Sequence, residues 1–548
     1  MRARNLFAPA LAAVTALLFL SSPVFCADAP AGRVLQNAWE VRDELKPAPD
    51  AAQAVQRHLL SFLEYQDLVM FHPKFGYYAS GRVDFASDYQ TYPIALAPHF
   101  GRMAAEQIFR MWQGMRRSGS LEPGDRFTIA EFGAGNGILA ESILDYLEAK
   151  AQEEGADPRW REFASQVLYI CYDRSPALNK TQRERNARFG SRFEAREADA
   201  TNPSVAIPPD SVKGIVLSNE LPDAFSVHKV ILSLDGSAEV AFVVPYLWHE
   251  SWARFEKTVP AVVAKEVVQG DSEIRKALPG VREDQVYLSR AAFEALLEAL
   301  ISSKEYHPLV YSLQFHEVYL PASMVPELAA HLSRHANSYA RELARLGQGV
   351  VTYVNLGAEQ FIRGAARILK AGYVVTLDYG SNWEGILGQH ASPHFRTYGP
   401  ARREENSYGG WYEEQSSYGA ETSDPYRGPT LNDMTTDVNF SLLAAEGDLS
   451  GLRTVYYGPQ SALRTGTPIT LAYPPQGQSY GSYEWEWGFE TDGHYKLMVQ
   501  QKQGTDSSYS YPQSHQEPLT TGESGWSETQ RRRAAEIEKR LSAAASAK

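Results

Sequence analysis

Cysteine is almost absent from this 548-residue chain, occurring only as Cys26 and Cys171. Cys26 falls in an N-terminal apolar segment, so no intramolecular disulfide survives removal of that segment, and zinc sites built from several thiolates are excluded. Excess positive charge is missing as well: the formal net charge is -13. No basic cluster interleaved with aromatics interrupts this acidic balance, which argues against a nucleic-acid partner. Long apolar runs are missing beyond a single one. Arg2 and Arg4 precede an uncharged stretch from Leu6 to Phe25, and Ala27, Ala29 and Ala31 follow it. That order predicts a signal peptide over residues 1–29, cleaved after Cys26 or within 27–31, and hence an exported protein, periplasmic or secreted. Left uncleaved, a run of roughly 20 residues is long enough to anchor the chain in a membrane, although Pro9 and Pro23 shorten the usable helix.

What is present implies more than one structural unit, because a chain of this length exceeds the size at which a single core stops growing. A helical N-terminal region over 30–125 is interrupted by the aromatic loop Phe71-His-Pro-Lys-Phe-Gly-Tyr-Tyr78. From Phe127 short apolar runs alternate with helical stretches: Phe127–Phe132, Ile138–Ala149, Val167–Tyr172, Pro176–Arg188 and Gly214–Ser218. This rhythm predicts an α/β fold, a Rossmann-like parallel sheet with helices on its faces, whose first part spans 126–232. Residues 233–349 break the rhythm with the apolar run Val240–Tyr246 and the helical stretch Leu288–Ile301, and read as a large insertion on the substrate side. The sheet resumes over 350–503 with a helix at 358–369, a turn at Gly372 and strands at Tyr373–Asp378 and Tyr495–Gln500. Within it, 381–426 and 476–483 are rich in Tyr, Gly, Ser and Glu and read as loops. A polar tail over 504–548 ends in a helix that Ser527 and Gln530 cap; its charged, alanine-rich composition predicts a solvated surface.

The chemistry concentrates after the first strand, where Glu131 to Gly137 reads E-F-G-A-G-N-G. Gly133, Gly135 and Gly137 permit a tight turn and let a ligand approach the backbone closely. A dinucleotide site puts two residues between its second and third glycines, whereas only Asn136 stands there, so the spacing favours S-adenosyl-L-methionine over a nicotinamide dinucleotide. Glu131 is placed to meet the positively charged amino-acid end of that cofactor. Asp173 ends the next strand, where a carboxylate accepts hydrogen bonds from both ribose hydroxyls; the competing role is to cap the following helix, a task open to Ser175. Asp199 and Ala200 stand where adenine is held. At the end of the strand Gly214–Ser218, Asn219, Glu220 and Asp223 face the reacting methyl group as candidate catalytic residues, although Asn219 and Asp223 are also ordinary turn formers.

The pieces Phe75-Gly-Tyr-Tyr78, Thr91 with Pro93, Phe100-Gly101, Glu131–Gly137, Asp173-Arg-Ser-Pro176 with Gln182, Asn219-Glu220 with Asp223-Ala224, Gly372 with Asp378-Tyr-Gly380, and Asp433-Met-Thr435 with Asp437 occur in one order between about residues 60 and 503. In this series the chain resembles the MidA family of class I methyltransferases, which includes a mitochondrial complex I assembly factor acting on protein arginine. Ile94 departs from the glutamate usual there. The resemblance implies a Rossmann-like class I methyltransferase fold, S-adenosyl-L-methionine as cofactor and a protein acceptor. Methyl transfer needs no metal, and an arginine acceptor needs carboxylates that grip it and take its proton, the role expected of Glu220 and Asp223 with Asn219 orienting the acceptor. The rival reading is a non-catalytic assembly or binding factor that keeps the fold, motivated by the substrate-side departures from the family pattern and by the export signal. The N-terminal segment makes its own prediction: sequencing the N-terminus of protein recovered from the exporting cell should give a start within residues 27–32.

Overall fold

The computed structural model describes residues 34–544 apart from 79–90, 302–307, 389–393, 400–402, 406–410, 414–419, 423, 472–483, 506–510, 512–515, 521 and 524. The segment 1–29 and the loop 476–483 therefore lie outside the described residues. Two sheets organise the rest. In chain order, the strands that build and border the site are β1 (Leu60–Ser61), β2 (Phe127–Phe132), β3 (Val167–Asp173), β4 (Phe193–Glu197), β5 (Val212–Asn219), β6 (His228–Leu232), β7 (Ala238–Trp248), β8 (Gln285–Tyr287), β9 (Gln314–Pro321), β10 (Val350–Val354), β11 (Leu369–Ser381), β12 (Phe395–Gly399), β13 (Asp433–Thr436), β14 (Val438–Asn439), β15 (Leu452–Pro459) and β16 (Tyr495–Lys502).

The larger sheet has eight strands in the order β15-β16-β11-β5-β2-β3-β4, with β14 beside β11. From β11 to β4 the strands are parallel, while β16 runs antiparallel to both β11 and β15. Strands buried on both faces read as near-continuous apolar runs, and β3, V-L-Y-I-C-Y-D, is buried at every residue but its last. This is the Rossmann-like α/β sheet that the alternating pattern predicts. Its order reverses between β2 and β5, and ligands of such sheets bind at that switch point, outside the carboxyl ends of the strands. Gly372 is not a turn residue. It lies inside β11 opposite Gly214 with φ +133°, and a Cβ there would stand 1.8 Å from the Gly214 carbonyl oxygen. Two glycines facing each other thus let β5 and β11 approach more closely than side chains allow.

The expected insertion is built around a second, six-stranded antiparallel sheet in the order β1-β7-β6-β10, with β8 and β9 also on β7. It reaches beyond 233–349 at both ends, since β6 and β10 pair with each other, Val350 opposite Leu232. The apolar run His228–Leu232 suits a parallel core strand equally well by composition; only its pairing partner assigns it to this sheet. The N-terminal region divides between the two sheets: β1 joins β7, whereas the helix His99–Ser118 covers the larger sheet through Phe100, Met103 and Trp112. Part of 381–426 is not loop: Trp383–Gly388 is helical and β12 pairs with β13. The C-terminal helix Glu528–Ala544 has the expected Ser527–Gln530 cap, yet it is not a solvated helix, because Ile537 and Leu541 are fully buried in the core beside Tyr339 and Leu343. Two apolar residues a turn apart outweigh its charged composition. No described helix is long and apolar enough to cross a membrane.

Two buried ionic networks brace this architecture. Lys229 on β6 pairs with Glu317 on β9 at 2.8 Å, both essentially inaccessible, and Tyr319 and Tyr426 donate to the same carboxylate. Between the sheets, Glu359 and Glu446 are gripped by Arg334 and Arg363, His331 bonds Glu359 and Tyr339, and His335 bonds Glu446 at 3.1 Å. Burial would raise Glu446, but the His335 and Arg363 hydrogen bonds outweigh it and hold its carboxyl at about 2. A carboxyl depressed in the folded state stabilises the fold above its unfolded value near 4.3 and loses that contribution as pH falls toward 2. Glu446→Gln should therefore lower Tm at pH 7, by a stability loss of about 3 kcal/mol for a broken buried pair, and should flatten the fall in Tm between pH 4.5 and 2, read by differential scanning calorimetry.

Candidate active site

A cleft of about 2250 Å³ opens at the carboxyl ends of β2, β3, β5 and β11. Its first wall is the loop after β2. Gly133, Gly135 and Gly137 have φ of +70°, +51° and +79°, a region costly for any residue with a Cβ. The loop is held from behind: Gly133 N–H donates to the Tyr172 carbonyl at 2.9 Å, and the Gln182 amide donates to the Gly135 carbonyl at 2.9 Å. Gly133 and Gly135 line the cleft, but Gly137 does not. Gly137 instead packs on the next helix, where a Cβ would meet the Asn186 amide nitrogen at 2.8 Å and Gln182 Cα at 3.3 Å.

Glu131 is buried at the end of β2, and among the described residues no cation stands beside it. Tyr169 donates to its Oε2 at 2.7 Å and Cys171 Sγ stands 3.7 Å away. Burial, partly offset by these hydrogen bonds, pushes its carboxyl up to about 7. A cationic ammonium in the cleft would restore the charged form, which fits the amino end of S-adenosyl-L-methionine. Asp173 lines the cleft at the end of β3; its Oδ1 accepts Ser175 N–H at 2.8 Å, and burial pushes it up to about 6. The helix-capping role falls to Ser175, whose Oγ accepts Leu178 N–H at 3.4 Å. Asp199 and Ala200 also line the cleft; Asp199 closes its own turn by accepting Thr201 N–H at 2.9 Å, and Ala200 is buried. Arg174 spans 3.8 Å to Asp67 and 3.9 Å to Asp199 with its guanidinium over the Phe71 ring, so the N-terminal region walls the nucleoside side.

The opposite wall gathers carboxylates. Asn219 ends β5 and donates to Glu220 Oε1 at 3.2 Å. Glu220 sits at φ +48°, uncommon for a residue with a side chain, and its N–H is tied to the Leu377 carbonyl at 2.8 Å. Pro222–Ala224 then form a short turn that presents Asp223. Asp223 Oδ2 accepts the Tyr379 hydroxyl at 2.8 Å, while its buried Oδ1 has no hydrogen-bond partner. Behind it, Asp378 accepts Asp223 N–H at 3.2 Å and Tyr379 N–H at 2.8 Å. Burial and the Asp223 charge push Glu220 up to about 8, and burial takes Asp223 to about 6 despite the Tyr379 hydrogen bond and the Arg396 charge. Asp378 is driven well above the usual carboxylate range by burial and by these two neighbours. Such a set takes up its protons as a unit.

Several cleft residues carry no role in the sequence reading. Asp433 and Thr435 on β13 line the cleft beside Glu220 and Asp223, and Tyr78 donates to Asp433 at 2.8 Å. Tyr379 and Asp378 follow the same strand-end rule as Asn219 and were within reach of sequence reasoning. Trp485 and Trp487, on the helix Glu484–Thr491, complete an aromatic rim in which Trp485 meets Tyr92 edge-on at 5.2 Å between ring centroids. Nothing in their sequence context distinguished them from core aromatics. Away from the cleft, His331, His335 and Glu359 form a buried group of metal-ligating type. Glu359 Oε2 is already shared by Arg334 and Arg363, its Oε1 bonds His331, and both His331 nitrogens are engaged, so the group serves as a brace between the sheets.

Residues 103–458 match the model of a family described as "Putative S-adenosyl-L-methionine-dependent methyltransferase". Among solved structures, a protein from Burkholderia thailandensis crystallised with S-adenosyl-homocysteine is similar at 19% identity and a TM-score of 0.50, the match covering 87% of this chain and 99% of that one. A native structure of a superfamily member from the same organism also gives 19% identity over 87% and 99% of the two chains, with a TM-score of 0.48. The first likeness establishes the class I methyltransferase fold. No curated protein matches the chain. If Asp173 holds the ribose, Asp173→Ala should weaken S-adenosyl-homocysteine binding about tenfold to a hundredfold, the worth of a charged hydrogen bond, with Tm of the free protein little changed; calorimetric titration measures it.

Proposed function

On the premise that the chain belongs to this family of S-adenosyl-L-methionine-dependent methyltransferases, we propose that it methylates an arginine side chain of a protein, as the MidA resemblance implies. The observation that carries this reading is the Asp223 oxygen left buried and unpartnered among Glu220, Asp378 and Asp433. Three of these carboxyls are raised by burial, and Glu220 and Asp378 also by their neighbours' charge; a cation presenting N–H groups relieves both effects at once. Guanidinium has that charge and that donor geometry. A volume of about 2250 Å³ also exceeds the roughly 300–1,000 Å³ of a small-molecule site, which supports a bulky acceptor beside the cofactor.

When bound, S-adenosyl-L-methionine supplies the electrophilic methyl group. Gly133, Gly135, Glu131 and Asp173 would hold it against the carboxyl ends of β2 and β3. The chain then has two tasks: to place the acceptor nitrogen in line with the methyl group, and to take the proton released as the new N–C bond forms. Asn219, oriented by Glu220, and Asp223 grip the guanidinium; Glu220 or Asp223 accepts the proton. The aromatic rim of Tyr92, Trp485 and Trp487 covers the acceptor's stem and offers ring faces to its charge.

Because Asp223 grips, and Glu220 accepts the proton, only as carboxylates, and both groups are raised, activity should climb with pH across about 6 to 8. Glu220→Gln should reduce methyl transfer to an arginine peptide at least a hundredfold, the size of a general-base contribution of about 10²–10⁴, while leaving S-adenosyl-homocysteine affinity within about twofold. Full turnover in that variant sinks the reading.

A further inference from the structure

A carboxylate that must grip an acceptor has to be aimed as well as placed, and Asp223 is aimed from outside its own loop. Its Oδ2 accepts the Tyr379 hydroxyl at 2.8 Å. Tyr379 is the penultimate residue but one of β11 and is buried, and its ring carries the Arg396 guanidinium over it, 4.7 Å from the centroid. The His494 ring stacks on it at 5.9 Å, and Tyr495 meets it edge-on at 5.5 Å. Arg396, on β12, is in turn fixed by Asp437. Asp437 lies between β13 and β14 with its side chain buried, and each of its oxygens has a further partner: His494 Nε2 at 3.2 Å on Oδ1 and His394 Nδ1 at 3.2 Å on Oδ2. Burial would raise Asp437, yet the histidine hydrogen bonds and the Arg396 charge hold it well below the usual carboxylate range. It therefore remains an anion under all ordinary conditions.

We infer that Tyr379 is the positioning residue of the acceptor grip: it engages one Asp223 oxygen and leaves the other, buried and unpartnered, for the acceptor, and the Asp437–Arg396 pair fixes the tyrosine ring. The inference rests on the reading of Asp223 as part of that grip. Three features of the geometry carry it. Tyr379 offers a single donor, and burial with the nearby Asp223 charge keeps its hydroxyl protonated, so the hydrogen bond has one possible direction. Arg396 cannot swing down to pair with Asp223 itself, because Asp437 holds its guanidinium over the ring. A direct Arg396–Asp223 pair would occupy the oxygen the acceptor needs. Finally, the chain of contacts joins β13 and β14, which also carry Asp433 and Thr435, to β11 and β5, so both sides of the acceptor half are set by one network.

Tyr379→Phe removes the hydroxyl and keeps the ring beneath Arg396. The charged groups acting on Asp223 are then Glu220, Asp378 and Arg396, unchanged in number. Loss of a donor disfavours the Asp223 carboxylate, so deprotonation requires a higher pH. The probe is the blocked amino acid N-acetyl-arginine methylamide, titrated into the S-adenosyl-homocysteine complex of the full chain between pH 5 and 9, alongside crystal structures of both forms. The expected result is probe affinity about tenfold lower at pH 7, a binding midpoint moved upward by about one pH unit, a rotated Asp223 side chain, and unchanged S-adenosyl-homocysteine affinity. Asp437→Asn, which frees Arg396 to pair with Asp223, should instead move the midpoint downward and weaken probe binding by occupying that oxygen, a response that lost packing alone would not give. An unmoved midpoint with Asp223 in its original orientation in Tyr379→Phe overturns the positioning role. Failure of the parent protein to bind the probe at any pH overturns the guanidinium reading instead, and the Asp223 orientation in the Tyr379→Phe crystal then decides the positioning role by itself. Full probe affinity in Asp223→Asn overturns both.

Discussion

Between Asn219, where β5 ends, and His228, where β6 begins, only residues 220–227 are available to carry the chain out of the parallel sheet and into the antiparallel one. The rest of the site depends on that short crossing. It forces Glu220 into the left-handed region, folds Pro222–Ala224 into a tight turn, and buries Asp223 where no water-filled surface can share its charge. A buried carboxylate stays tolerable only if neighbours hydrogen-bond it or a ligand completes it. Tyr379 supplies the first remedy from the end of β11, and in the proposed mechanism the acceptor supplies the second at the unpartnered Asp223 oxygen. The joint between two sheets and the place of chemistry are thus one stretch of backbone.

The same demand explains why the molecule has heavy ionic bracing away from the cleft. A hinge at 220–227 would smear a site built from both sides of it, and the Glu359–Glu446 network, with its two arginines and two histidines, ties helices of the second sheet to helices of the first. Lys229 and Glu317 do the same within the second sheet, one residue beyond the crossing. Buried pairs of this kind contribute little to net stability when compared with apolar residues of equal volume, yet they are costly to break, and so they fix relative position.

Legibility followed local pattern. Glu131, the glycine loop, Asp173 and Asn219 could be read because each follows a strand whose apolar run announces itself, and the structure brings all of them except Gly137 to one cleft. Gly137 was misleading because spacing cannot separate a glycine needed by a ligand from one needed by Asn186 behind it. The strand β4, F-E-A-R-E, is half exposed at the sheet edge and leaves little apolar signal. The second sheet was hidden for a different reason: antiparallel pairing joins β1, near residue 60, to β7, near 243, and β6 to β10 across more than a hundred residues, and nothing in a local window reports such partners. Asp433, Trp485 and Trp487 reach the cleft from segments with loop-like composition, so their placement is tertiary information.

The backbone at position 220 suits glycine, or after it asparagine, better than glutamate. In the proposed mechanism the side chain, by contrast, is needed to accept the proton. Fold and chemistry therefore pull this one codon in opposite directions, and a population selected only for thermal robustness would drift toward a small residue there, becoming sturdier as it lost its trade.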